Sequence, residues 1–180
     1  MKLSENQYKE FKNILDNSTV LTPTDQEYQD RKKELPGVFK HETFVLSKAE
    51  KSFSSIKHYS MDNPELVKFV TELAGNPKGR LFSLHQGYYG EGTYNRPHLD
   101  DATWTLVIMV DSDLRKGGDF YLVNEFIPEF KDPGSYVMYD GSRKKHSVTT
   151  IEEGWREVLV VWWKDEEEWI ERQTRVTSLI

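Results

Sequence analysis

The chain has no cysteine among its 180 residues. That excludes disulfides, thiolate metal sites, iron–sulfur clusters and a cysteine nucleophile, and it fits a reducing compartment. Long apolar runs are also missing. A membrane helix needs about 20 apolar residues, whereas the longest runs, 106–110 and 158–163, have strand length. The opening residues, Met1-Lys2-Leu3-Ser4-Glu5-Asn6, are polar and lack the apolar stretch of a signal peptide. A cytoplasmic location without a membrane partner is the expectation. Excess positive charge is absent too. Asp and Glu number 30 against 24 Lys and Arg, a net charge of −6, which argues against a general nucleic-acid coat. No internal repeat or low-complexity stretch is present. Aromatic residues are plentiful, with five Trp, nine Tyr and nine Phe, enough to build a packed core in one domain.

Residues 4–16 read as a helix. Ser4 and Gln7 form a capping box, and Tyr8, Phe11, Ile14 and Leu15 share one face. Thr22-Pro23-Thr24-Asp25 opens a possible short helix, but Gln26 to Lys40 is polar, broken at Pro36-Gly37, and reads as a loop over a site or partner surface. A further helix starts at Asp62-Asn63-Pro64-Glu65, with Leu66, Phe69, Val70 and Leu73 inward, and stops at Gly75-Asn76-Pro77-Lys78-Gly79. From Arg80 short strand-like runs alternate with Gly, Pro and Asp turns, near 80–87, 95–99, 104–110, 118–124, 135–139, 145–150 and 155–163. Such spacing predicts a sandwich or barrel. The organisation expected is a helical and loop support region over 1–79, a β core over 80–164 and a C-terminal segment over 165–180, all in one domain.

Chemistry concentrates in the β region. His98 and Asp100, in Pro97-His98-Leu99-Asp100, are two apart and on a strand share a face. His146 supplies a third donor. Two imidazoles and a carboxylate are the facial set of non-haem Fe(II) oxygenases. Arg156 follows ten residues after His146, with Ile151-Glu152-Glu153-Gly154 between them as a hairpin turn. That turn would pair Arg156 near Thr149 or Thr150, roughly 13 Å from His146 by strand rise. A five-carbon 2-oxo diacid with its keto-acid end on the metal and a bidentate Arg at the other end suits the gap. Lys116-Gly117-Gly118-Asp119-Phe120, between the two ligand segments, suggests a tight bend before a strand.

With these motifs assembled, the chain resembles the Fe(II)- and 2-oxoglutarate-dependent oxygenase superfamily, in its prolyl 4-hydroxylase-like branch. The resemblance covers about residues 80–163. It rests on His98-Leu99-Asp100, Gly117-Gly118-Asp119-Phe120-Tyr121-Leu122, Pro133-Gly134-Ser135-Tyr136-Val137-Met138-Tyr139, His146-Ser147-Val148-Thr149 and Gly154-Trp155-Arg156. It implies a mainly β (α+β) fold with a double-stranded β-helix (jelly-roll) core behind N-terminal helices. It also implies His98, Asp100 and His146 as iron ligands and Arg156 as the grip on the distal carboxylate of 2-oxoglutarate. Tyr88 corresponds to a family tyrosine that touches this co-substrate, with Tyr89 competing for the role, and Thr105 is a further co-substrate contact. Val158 stands where some members carry Ser, so that contact is missing. Halogenating members replace the ligand carboxylate with a small residue; Asp100 is present, so the resemblance implies a hydroxylase. Strand parity favours Asp100 over the adjacent Asp101.

The implied activity is a dioxygenase that hydroxylates an amino-acid side chain, peptidyl prolyl or free. Its cofactor is Fe(II), its co-substrates are 2-oxoglutarate and O₂, its products are succinate and CO₂, and ascorbate is an optional reductant. One alternative is a nucleobase-oxidising relative, with Arg143-Lys144-Lys145 at the barrel mouth; the acidic balance disfavours nucleic acid as a partner. Another is a non-catalytic barrel that binds a ligand or partner. Other signals carry less. His41-Glu42-Thr43-Phe44-Val45 lacks the second His of a zinc-protease motif. His41, His58 and His85 read as structural or surface residues. Trp155, Trp162, Trp163 and Trp169 read as packing residues, and Asp165-Glu166-Glu167-Glu168 as the start of a solvated helix.

Overall fold

The structure, a computed structural model, describes residues 1–34 and 54–167. His41, Pro36-Gly37 and Trp169 lie outside the described residues. Three helices, α1 (Glu5–Asp16), α2 (Gln26–Glu34) and α3 (Pro64–Leu73), accompany nine strands. The strands are β1 (Ser54–His58), β2 (Arg80–Tyr89), β3 (Asn95–His98), β4 (Trp104–Gly117), β5 (Phe120–Leu122), β6 (Glu125–Phe126), β7 (Tyr136–Asp140), β8 (His146–Val148) and β9 (Ile151–Lys164). They form a five-stranded sheet ordered β1-β2-β9-β4-β7 and a four-stranded sheet ordered β3-β8-β5-β6, with every pairing antiparallel. The two sheets make the jelly-roll core, and the fold is mainly β.

Alternation sorts the side chains of the larger sheet. Leu84, Leu106, Ile108, Leu159, Val161 and Trp163 face the helices and pack with Phe11, Leu15, Leu66 and Val70. Val107, Met109, Val137 and Val158 face the smaller sheet and pack with Phe120, Phe130 and Val148. Helix α1 forms as its capping box predicts: Gln7 N donates to Ser4 Oγ (3.3 Å) and Ser4 N to Gln7 Oε1 (3.0 Å). Phe11 stacks on Phe69 of α3 at 5.5 Å. Asn63, at the start of α3, does not cap it. Its amide instead ties down the chain by accepting from Thr19 N (2.8 Å) and donating to the Thr19 and Ser60 carbonyls.

Three expectations are corrected. The polar stretch after Gln26 is helical through Glu34, opened by the Thr22–Asp25 turn. Two strands, β1 and β6, lie where none was expected. Ile151–Gly154 is not a hairpin turn: it is the first part of the 14-residue strand β9 and pairs with the far end of β4. The chain reverses at Thr149-Thr150 instead. Gly117 and Gly118, both at positive φ, make the bend between β4 and β5, and a side chain at Gly117 would collide with the Thr150 carbonyl. Among the described residues, no helix is long and apolar enough to cross a membrane.

Candidate metal centre and anion pocket

The structure brings His98, Asp100 and His146 together, with their donor atoms all within 4.8 Å of one another. Asp100 Oδ1 lies 3.6 Å from His98 Nε2 and 3.5 Å from His146 Nε2. The two imidazole rings are 4.1 Å apart. β3 and β8 are register neighbours, and His98 pairs with His146. Asp100 gets there by a different route from the one expected. It lies beyond the end of β3, so strand parity does not place it. Its backbone N–H donates to the Gly141 carbonyl (2.8 Å), Thr105 Oγ1 donates to its Oδ2 (2.7 Å), and the Tyr139 hydroxyl reaches the same Oδ2 at 3.4 Å. Asp101 is exposed.

These contacts leave the other atoms of the set unused. Asp100 Oδ1 makes no hydrogen bond among the described residues. His98 Nδ1 is 2.7 Å from the Arg96 carbonyl; a carbonyl only accepts, so Nδ1 carries the proton and Nε2 keeps its lone pair. Asp100 Oδ1 and the Nε2 atoms of His98 and His146 therefore converge on one point. Cis ligands at ~2.1 Å from an ion lie about 3 Å apart, so a small closure would seat a divalent cation. The donor set fits Fe(II) with open positions. Burial pulls the His146 pKa down, partly countered by the Asp100 carboxylate.

Arg156 opens into the same cavity of about 100 Å³. It is only 5% exposed, and no carboxylate pairs with it among the described residues. Its Nε has no hydrogen-bond partner, and its guanidinium sits 5.1 Å from the Tyr89 ring centre. Burial lowers its pKa to about 10, opposed by Tyr89 and Tyr139. The route to this position also differs from the expected one. Arg156 pairs with Tyr89 and Ser112 in the larger sheet, not with Thr149 or Thr150. It thus faces His146 across the sandwich rather than along one ladder. A buried cation without a counter-ion is costly, and an anionic ligand in the cavity would complete it.

Of the two adjacent tyrosines, Tyr89 lines the cavity, while Tyr88 stacks on Trp155 at 5.7 Å. Tyr89 lies across Gly87, where any Cβ would run into its ring. Thr105 is buried, and its hydroxyl is committed to Asp100. His85, read from the sequence as structural or surface, is a cavity wall, only 6% exposed, with Nδ1 3.0 Å from Ser83 Oγ and its ring edge-on to Trp162 at 5.2 Å. Sequence reasoning gave no role to Gly141. A side chain at Gly141 would strike Thr105 Oγ1 and Asp100 Cβ, so glycine there lets the carboxylate and its hydroxyl donor approach.

No family model matches the chain, and no curated protein matches it. Solved structures with a similar fold include a prolyl-4-hydroxylase from Pseudomonas putida, 13% identical over 89% of this chain and 100% of that one, with a TM-score of 0.49. A 2OG-Fe(II) oxygenase family oxidoreductase from Burkholderia pseudomallei is 13% identical over 91% and 93%, with a TM-score of 0.47. A predicted oxalate decarboxylase from Thermotoga maritima is 14% identical over 69% and 91%, with a TM-score of 0.47.

Proposed function

We propose that the protein is an Fe(II)- and 2-oxoglutarate-dependent dioxygenase that hydroxylates an amino-acid side chain, in a peptide or in a free amino acid. The observation that carries this reading is the buried, unpaired Arg156 in the same cavity as the His98–Asp100–His146 set. A metal site alone suits many activities. A metal site sharing a small cavity with a cation that awaits an anion suits a chelating dicarboxylate. His98, Asp100 and His146 would hold the iron on one face. Arg156 would fix the distal carboxylate by charge-assisted hydrogen bonds, with Tyr89 beside it. When bound, iron and 2-oxoglutarate supply the oxidising power from O₂, yielding succinate and CO₂. Val107, Val158 and Val160 add apolar wall beside Arg156, and low-dielectric surroundings strengthen a charge-assisted contact.

An anaerobic titration with Fe(II) and then 2-oxoglutarate tests the reading. A visible charge-transfer band is expected in the wild type and none in His146→Ala. A folded, metal-loaded wild type without a band would overturn the proposal.

A further inference from the structure

Among the described residues, Leu99, Val123 and Phe126 are large apolar side chains that stand exposed, at 44%, 55% and 43%. All three lie on the outer face of the smaller sheet. Along β5 and β8, Phe120, His146 and Val148 turn toward the cavity, while the register partners Tyr121 and Ser147 turn away from it. Tyr121 packs on Phe126 at 5.5 Å. Over this face runs a groove of about 260 Å³ walled by Pro97, Leu99, Tyr121 and Val123, with Arg143 and Lys145 on its rim. His146 borders both groove and cavity, which lie on opposite faces of the smaller sheet.

The backbone supplies a second observation. Leu122 pairs with Glu125, so Val123-Asn124 is a two-residue hairpin loop with φ of 52° and 66°. Such loops favour Asn and Gly, whereas a β-branched residue at positive φ is strained. Val123 is a poor choice for the turn and a good one for the groove, because the turn holds its side chain out over it. Strain of this kind collects where a side chain has work beyond folding.

Charge defines what the groove takes. The chain carries −6 overall, yet the groove rim is cationic. Lys145 is exposed and has no ion pair among the described residues. Arg143 is ion-paired with Asp140 at 3.7 Å, so the charge offered to a ligand is that of Lys145. An anion with an apolar body matches this lining. A second copy of the chain would set these cations against its own in a two-fold contact. An extended peptide finds no backbone edge in the groove, because β8 is paired on both sides. The volume is just below the usual range of small-molecule sites.

We propose that the groove binds a small organic carboxylate with a hydrocarbon body. This binding does not rest on the function proposed above. The test is methyl NMR of the full chain loaded with redox-silent Zn(II), titrated with octanoate and with its uncharged counterpart octanamide. Saturable shifts at the Leu99 and Val123 methyls are expected with octanoate, with binding at least tenfold weaker for octanamide and no movement at the exposed Val20. Lys145→Glu should weaken octanoate at least fivefold and leave octanamide unchanged. Val123→Gly should weaken octanoate while raising the Tm, since it relieves the turn. Equal affinity for the two probes, non-saturable shifts, or equal shifts at Val20 would overturn the proposal. So would saturable shifts with an acidic, leucine-rich peptide and none with octanoate. The Fe(II)–2-oxoglutarate band separates the two readings. A band without octanoate binding removes the groove proposal alone. Octanoate binding without a band keeps the groove as a carboxylate site and removes the function proposed above.

Discussion

Arg156 is a buried cation that no carboxylate pairs with among the described residues, and the partner proposed for it is 2-oxoglutarate. That gives it opposite effects on stability and binding. Replacing a buried, unpaired charge with an apolar side chain of similar length removes a desolvation cost, so Arg156→Met should stabilise the ligand-free protein by about 1–2 kcal/mol. The same change should weaken 2-oxoglutarate at least 100-fold, about 3 kcal/mol for a lost charge-assisted contact, and leave Fe(II) affinity unchanged. Urea unfolding and calorimetric titration read the two effects; equal 2-oxoglutarate affinity in both proteins would remove Arg156 from the site. Thr105 offers a sharper separation, because Val keeps its shape and loses only the hydroxyl that orients Asp100. Thr105→Val should lower metal affinity 10–100-fold, the usual range for a lost outer-shell hydrogen bond. At saturating metal its 2-oxoglutarate affinity should match the wild type. A selective loss of co-substrate binding would instead make Thr105 a direct contact.

At the scale of elements, helix α1 depends on its docking. Phe11 is fully buried and stacked on Phe69. Phe11→Ala should cost about 3–5 kcal/mol in urea unfolding, and a cost below about 1 kcal/mol would mean that α1 is not part of the cooperative core. This helix was legible in the sequence because its cap and its apolar stripe are both local signals. Helix α2 was not. It has no apolar stripe: a single aromatic, Tyr28, packs with Leu21 and Phe82, and the other contacts are polar, Arg31 donating to the Tyr59 carbonyl at 2.7 Å and Glu27 accepting from Met61 N at 2.8 Å. Strand β1, Ser-Ser-Ile-Lys-His, is an edge strand with too little alternation to show. Glu152-Glu153-Gly154 has the composition of a turn, yet it is strand, with Lys116 and Arg115 of β4 pairing with its two carboxylates. The metal donors were readable because their residue types and order are distinctive. What holds them was not. Tyr89 rather than Tyr88 faces inward because of the β2 register, which includes a bulge between Leu81 and Ser83. Gly141 meets Asp100 only after the loops close.

At the scale of the whole molecule, acid sensitivity should come from a pair of histidines outside the metal set. His58 on β1 pairs with His85 on β2, their rings 5.9 Å apart, and Arg31 of α2 adds its charge nearby. Burial, then neighbouring positive charge, lowers His58 to about 4 and His85 to about 3. Both are therefore neutral in the folded protein at neutral pH. Ser83 Oγ, itself buried, shares a hydrogen bond with His85 Nδ1 at 3.0 Å. In the unfolded chain both histidines bind protons below their ordinary value of about 6.5. The unfolded state then holds more protons than the native one, so stability falls as pH drops from about 6.5 toward 4. Each histidine should contribute about 1.4 kcal/mol of loss per pH unit across that window. Carboxylates contribute their own slope, but equally in wild type and variant. Chelator-treated His58→Phe should therefore show a shallower fall in urea-derived stability between pH 6.5 and 4.5, by close to one histidine's share. Parallel slopes would mean that His58 exchanges protons freely in the folded protein. Neutrality also bears on the site: a charged His85 would place a second cation on the cavity wall, where it would compete with Arg156 for a dicarboxylate. Keeping His85 uncharged leaves one end of the cavity to attract the anion and the other to the metal.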